Sequence, residues 1–427
     1  MKRLTRAAGW NTPPDLRSAF RVRLLISLGL LVFGPACAVF GADFGFTFHQ
    51  NIDLGGDAQG TYTSYAGGLA PWVSASLNEH TDIYLSGSFA IKYENETFYA
   101  VPEVTRFMVS WRPLPSVAVE GGRIRFNDAN RILAAGLFDG LAASYEVGST
   151  RLSLGALYTG LLYKDTADIF MTAGDAAAYI QKLDYNAFGD TYFASRRFLA
   201  AAGWEVPSLG GGSHSLFVQG LVQFDLNGRA EKIHTQHLSL RLILSPDPVF
   251  DLSLGGIAGL AETQGSAGSS GTEINFALLA LASWAPPSSA RDRVTLGFHW
   301  GSGQLSTAIG PFRQITAVGQ GNVLNTGLAG LVVINGAYLI QPVDGLSLTL
   351  DGRYFLRNDT KTYTHPYLQS GGAQALGAEL YTALTWVPVL DISLTAGAGA
   401  FFPGMGNALS SNAPVEWKTT AALLLSF

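Results

Sequence analysis

The sequence predicts an all-β protein: a single transmembrane, antiparallel up-and-down β-barrel of about 18 strands, preceded by a cleaved signal peptide. Three observations predict it. Hydrophobic residues make up 48% of the chain and charged residues only 14%, against about 25% charged in an ordinary soluble domain. Past the amino terminus, no run of about 18 uninterrupted apolar residues offers a spanning helix. Apolar residues instead alternate with small or polar ones over segments of about 10 residues, the dyad period of a barrel wall. So apolar a chain without helical spans points to strands in a closed barrel, the other arrangement that satisfies every backbone group in lipid.

Lys2, Arg3, Arg6, Arg17, Arg21 and Arg23 form a basic amino-terminal region, and Leu24 to Phe33 is a short apolar core followed by small residues. This is the pattern of an export signal, with cleavage expected after Ala38 or Gly41. The expected organisation is therefore 1–38 signal peptide and 39–427 barrel. Cys37 is the sole cysteine, so no intrachain disulfide exists. Residues 1–38 hold six basic residues and Asp15, so their removal takes the formal net charge from −5 to −10. That acidity argues against nucleic acid as a partner.

The strands alternate in order along the chain. Ile83, Leu85, Gly87, Phe89 and Ile91 oppose Tyr84, Ser86, Ser88 and Lys92. Leu238, Leu240, Leu242 and Leu244 oppose His237, Ser239 and Arg241. Val294, Leu296, Phe298 and Trp300 oppose Thr295, Gly297 and His299, and Leu346, Leu348 and Leu350 oppose Ser347, Thr349 and Asp351. Connections alternate too. Short turns are expected at Asn78–Asp82, Pro113–Ser116, Val147–Thr150, Pro207–Ser213, Ser245–Asp251, Ala285–Arg291, Gln341–Gly345 and Val387–Asp391. Longer links are expected near Asp53–Leu69, Lys92–Thr97, Asn127–Ala135, Lys164–Ser195, Leu226–Ile233, Glu262–Gly271, Ser302–Asn322, Arg357–Gly372 and Pro403–Pro414. The alternation gives an even strand number with both ends on the short-turn side.

Trp111-Arg-Pro, Trp204-Glu-Val-Pro, Trp284-Ala-Pro and Trp386-Val-Pro each close a strand on that side. Tryptophan suits a lipid–water boundary, where its ring is apolar and its N–H wet. Proline suits the position just past the last ladder bond. The four are expected to form a membrane-interface girdle.

In the last strand, Trp417, Thr419, Ala421, Leu423, Leu425 and Phe427 share one face. An amphipathic strand ending on an aromatic residue resembles the assembly signal of bacterial outer-membrane β-barrels. The resemblance implies outer-membrane lipid and the barrel-assembly machinery as partners, engaged through Phe427, Leu425, Leu423 and Trp417.

Polar alternation assigns Arg106, Arg123, Arg125, Arg197, Arg241, Arg353 and Arg357 to the lumen, with Ile124 and Phe126 toward lipid. Glu146, Asp225, Asp351 and Glu379 are expected to face them inside. Charge on the lipid face would cost about 2–4 kcal/mol at the midplane. Arginines in a water-filled pore raise the local anion concentration; paired with the carboxylates, they would only brace the wall. The stretch Gly121-Gly122-Arg123-Ile124-Arg125-Phe126, followed by Gly136-Leu-Phe-Asp139-Gly140, resembles a hairpin of the alginate-export-type 18-stranded porins, over about 25 residues. That resemblance implies a porin-like channel with an arginine-lined pore. The short lead-in and Trp-x-Pro turns also resemble uncharacterised outer-membrane barrels of spirochaetes.

The first strand is expected to start at once, with Phe44, Phe46 and Phe48 alternating, which leaves no room for an amino-terminal plug. Any constriction must then come from a folded-in loop, for which Lys164–Ser195 is the candidate. It holds a helix-compatible run from Asp175 and five aspartates (Asp165, Asp168, Asp175, Asp184 and Asp190) whose spacing matches no calcium loop. His234 and His237 fall on opposite faces of a strand, a poor metal pair. No catalytic residue, metal or cofactor is implied. The expected function is passive diffusion of small hydrophilic solutes, anionic ones included. The alternatives are a surface adhesin or receptor with a closed lumen, and a carrier of hydrophobic compounds. Monomer and trimer are both open.

Overall fold

The computed structural model describes residues 42–427 except Asn95, Gly211 and 266–269. The expected signal peptide and Cys37 lie outside the described residues. Eighteen strands form one antiparallel sheet. In order they are β1 Asp43–Asp57, β2 Gly60–Asn78, β3 Thr81–Glu94, β4 Thr97–Leu114, β5 Val117–Asn127 and β6 Ala135–Val147. Next come β7 Thr150–Tyr158, β8 Arg197–Leu209, β9 His214–Asp225, β10 Lys232–Asp247, β11 Phe250–Gln264 and β12 Ser270–Trp284. The last six are β13 Arg293–Gly301, β14 Leu331–Val343, β15 Leu346–Arg357, β16 Ala375–Val389, β17 Ile392–Phe402 and β18 Glu416–Ser426. Each pairs with its sequence neighbours, and β1 pairs with β18 from Thr47↔Ser426 to Gly56↔Trp417. The ladder is closed, so no edge meets lipid.

Outside β5, one face of the strands is apolar and exposed, as at Leu154, Leu238, Leu296, Ile334 and Leu380. This is the outer wall, where lipid takes the place of a protein core. Trp111, Trp204, Trp284 and Trp386 all point outward at the short-turn end, each about half exposed. They sit on β4, β8, β12 and β16, every fourth strand along the chain. Phe427 follows the outward face of β18 and stacks on Phe46 with ring centroids 4.9 Å apart. Phe427 thus covers the seam between β18 and β1.

All eight short turns and nine opposite links fall where expected, but two of the nine are not long. The Asp53–Leu69 segment is mostly strand: β1 and β2 continue to the pair Asp57↔Gly60. The Asp57 carboxylate accepts from the N–H groups of Gln59 at 2.7 Å and Gly60 at 3.1 Å, and Gly60 takes φ +140°. Likewise β3 and β4 continue to Glu94↔Thr97. Both segments are polar because the strands run on beyond the apolar belt.

The wall is interrupted at one place. β4 and β5 pair only from Leu114↔Val117 to Met108↔Gly122. Gly122 has φ +110°, and a Cβ there would meet the Phe107 carbonyl oxygen at 2.1 Å, so only glycine fits. Beyond it the β5–β6 hairpin leaves β4 and turns into the lumen. Its tip, 128–134, reaches the inner wall of β9–β11. There Ala129 N–H donates to Gln219 at 3.0 Å, and Asn130 Nδ2 lies 3.3 Å from the Leu240 carbonyl. Asp128 shapes the tip by accepting from the N–H groups of Asn130, Leu133 and Ala134 at 2.8 to 2.9 Å.

Candidate functional site: the luminal constriction

Two loops join the hairpin tip inside the barrel. Loop 302–330, between β13 and β14, crosses the lumen. Ile315 N–H donates to the Leu133 carbonyl at 2.7 Å, and Ala135 N–H donates to Thr316 Oγ1 at 2.9 Å. A cluster of buried apolar side chains seals this junction, with Phe312, Ile315, Leu324 and Leu328 of the loop against Ile124, Leu133 and Phe138 of the hairpin. Burying such residues inside a barrel removes them from water as a soluble core would.

Loop 159–196, the expected constriction, lies over the interrupted wall and only partly in the lumen. Lys92 of β3 pairs with Asp165 at 2.6 Å, and Thr166 donates to Glu103 of β4 at 3.0 Å. Tyr192 Oη donates to the Pro102 carbonyl, a β4 acceptor that β5 no longer reaches. The helix Ala173–Tyr179 turns inward. Thr172 and Asp175 form its capping box, with both bonds at 3.1 Å. The same Asp175 carboxylate pairs with Arg197 and, at 2.9 Å, with Arg229, while Arg197 also pairs with Asp225.

The seven arginines expected in the pore therefore separate. Arg123 is a correction. It aligns with Val119 and Gly121, the face that pairs with exposed Leu141 and Tyr145, whereas Ile124 and Phe126 face inward onto the luminal cluster. The hairpin has left the wall, so its inner face meets protein and its outer face is covered by loop 159–196. Arg123 is nearly buried there, donating to Asp139 at 2.8 and 3.0 Å, to the Leu161 carbonyl at 3.0 Å and to the Val104 carbonyl. Arg125 shares that face; it is exposed. Arg197 and Arg357 do point inward but meet no open water: both are buried, Arg357 holding the carbonyls of Gly371 and Ala373 at 2.6 Å. Glu379 points inward and is buried under loop 302–330. Arg106 faces the lumen with its guanidinium 5.2 Å from the Tyr84 ring.

Arg241 and Arg353 line a cavity of about 310 Å³ between the hairpin tip, residues 318–320 of loop 302–330 and the wall of β10–β15. Arg131, a residue that the alternation of strands does not assign, lines it too, with His299, Gln320 and Asn335. Arg131 adopts φ +60°, and its side chain is exposed with no hydrogen bond or ion pair among the described residues. A non-glycine residue in that region stores of order 1–3 kcal/mol of strain, which the surrounding fold must hold. Arg241 has neutral partners, Ser253 Oγ at 3.0 Å and the Ala129 carbonyl at 3.4 Å. Arg353 is paired with Asp351 at 2.8 and 3.0 Å and donates to the Gln320 carbonyl at 2.6 Å. Three guanidiniums from three elements thus meet two carboxylates at this recess, Asp351 beside Arg353 and Asp128 near Arg241. The excess positive charge attracts anions. Arg131 lies in the Asn127–Ala135 link beside the Gly136–Gly140 stretch, and that adjacency is the signal by which sequence could have singled it out.

No protein-family model and no curated protein matches the sequence. Among solved structures, the fold is similar to the outer membrane protein OpdK from Pseudomonas aeruginosa, with a TM-score of 0.60, 14% identity, and coverage of 90% of this chain and 99% of that one. OprD of the same organism gives a TM-score of 0.57 at 11% identity over 90% of this chain and 94% of its own. OccK2 (OpdF), crystallised in complex with glucuronate, gives 0.57 at 13% over 90% and 98%. At these identities the likeness is one of fold: a closed barrel of 18 antiparallel strands.

Proposed function

We propose that this chain is an outer-membrane porin, a passive channel for small hydrophilic solutes with a preference for anions. The observation that carries this reading is the cavity where Arg131, Arg241 and Arg353 converge, with Asp351 paired to Arg353 and the nearby Asp128 already engaged by three backbone N–H groups. A solute crossing the barrel passes this recess, between two infolded loops, and an anion gains where a cation is repelled. Arg123, Arg197 and Arg357 serve instead to anchor the hairpin and the loops. Support from outside the chain is that two similar folds are named outer membrane proteins and a third was crystallised with glucuronate, a sugar acid. Residues 1–38 are read as the export signal, and the Trp417–Phe427 strand as the element offered to the barrel-assembly machinery. The adhesin reading needs long loops presented outward, whereas 159–196 and 302–330 turn back onto the barrel.

The test is single-channel recording of the refolded mature protein under a salt gradient. Ohmic steps with an anion-shifted reversal potential are expected, and the shift should shrink when Arg131, Arg241 and Arg353 are changed to Gln. A folded but silent barrel, or cation selectivity, would overturn the reading.

A further inference from the structure

Glu379 is an inward carboxylate that makes no ion pair among the described residues. Its oxygens accept from three consecutive backbone N–H groups of loop 302–330: Asn322 at 2.7 Å, Val323 at 3.1 Å and Leu324 at 2.8 Å. Consecutive amides aimed at one point form an anion-binding concavity, and here the wall supplies the anion. The loop is shaped to receive it. A Cβ on Gly321 would meet Glu379 Oε2 at 2.7 Å and the Leu324 carbonyl oxygen at 2.4 Å. Glycine at 321 is therefore what lets the carboxylate enter. Two further wall groups hold the adjacent Gln320, His299 Nδ1 at 2.8 Å from its Oε1 and Arg353 at 2.6 Å from its carbonyl. Gln320, Gly319 and Val318 line the arginine cavity, as do His299 and Arg353.

We infer that Glu379 is the latch of the constriction: a positioning residue that fixes residues 318–324 against β13, β15 and β16 and so sets the aperture beside Arg353. It acts through the loop and not by touching solute, since it is 2% exposed. The attachments of loop 302–330 to the opposite side are separate bonds, at Leu133 and Ala135, so losing the latch frees one flank and leaves the crossing in place. Charge-assisted bonds to the carboxylate are stronger than neutral ones, so an amide at 379 holds the loop less well than a carboxylate.

The inference rests on the channel reading for its electrical readout, and the experiment separates the two. E379Q, E379D and G321A are refolded, checked for the heat-stable barrel form, and compared with wild type in conductance, reversal potential and amide exchange at 322–324. E379Q and G321A should raise conductance about twofold, add open-state noise and weaken anion preference as the aperture widens. E379D, which retains the charge, should restore part of each. Amides 322–324 should exchange at least about tenfold faster in both unlatched variants while those of Ile315 and Thr316 keep their protection. A silent wild-type barrel with this exchange pattern would defeat the channel reading and support the latch. Unchanged conductance and unchanged exchange in folded G321A and E379Q would overturn the latch.

Discussion

The two longest loops, 159–196 and 302–330, both turn back onto the barrel, yet different forces hold them. Loop 159–196 is held by buried charge: Arg197 lies between Asp175 and Asp225, with all three side chains at or below 1% exposure. Its other contacts stand in for the ladder bonds that β4 loses beyond Met108. Loop 302–330 is held by an apolar cluster on one side and by backbone N–H groups around Glu379 on the other. A buried ion group tolerates no halfway state, because removing one member leaves an uncompensated charge. Bonds from a loop backbone can be exchanged for water one at a time. The first loop is therefore part of the wall, and the second is the part free to set the aperture.

Removing the central charge of each loop should separate them most clearly. Arg197→Ala strands Asp225, leaves Asp175 with Arg229 alone, and is expected to cost about 3–5 kcal/mol. Glu379→Gln keeps an acceptor and should cost about 1–2 kcal/mol. Thermal unfolding of the refolded barrels would show this difference; equal losses would mean that the loops are held alike.

A second contrast concerns charge that meets water and charge that does not. Changing Arg131, Arg241 and Arg353 together to Gln should lower the anion-to-cation permeability ratio about threefold. Replacing Arg123 by Ala should leave that ratio nearly unchanged, because its guanidinium is already held by Asp139 and two backbone carbonyls away from the lumen. Reversal potentials under a salt gradient measure both, and a large shift from Arg123 alone would return that residue to the pore.

A smaller effect is expected where the two loops touch. Ala317 N–H donates to the Asp168 carbonyl at 2.8 Å. Burial, with the nearby Asp165 charge, pushes the Asp168 carboxyl up to about 6. The folded loop then binds this proton more tightly than the unfolded chain does. Its contribution to stability is full below the unfolded value near 4 and is lost as pH rises through about 6. Protection of Ala317, corrected for intrinsic exchange, should fall from pH 4 to 7 in wild type and stay level in Asp168→Asn. The smallest change is Trp386→Ala on the outer wall, within about 1 kcal/mol and without effect on either loop, measured by the same unfolding assay.

Much of the wall was legible because its physics is local. Each strand sees lipid on one side and the interior on the other, so a period of two reports its face, and Leu238, Leu296 and Leu348 were placed by that alone. Asp53–Leu69 was misread because a strand running beyond the lipid turns polar and resembles a loop. Ile124 and Phe126 were misread for the converse reason: an apolar residue on a barrel strand signals lipid only while the strand stays in the wall. The candidate site was less legible. Arg106, Arg241 and Arg353 follow from alternation, but Arg131 sits in a hairpin tip, where no period assigns a direction.

The closed barrel, a strand number of about 18, the short-turn side and the outward tryptophans were all legible in the sequence, since each follows from the spacing of neighbours along the chain. Tertiary structure decided which loop crosses the lumen, which arginines meet water and which carboxylate grips a backbone. Those depend on groups far apart in sequence, as Glu379 is from Asn322 or Ile315 from Leu133, and they follow from the departure of β5 from β4 at Gly122. No pattern of adjacent residues records where such a strand goes next.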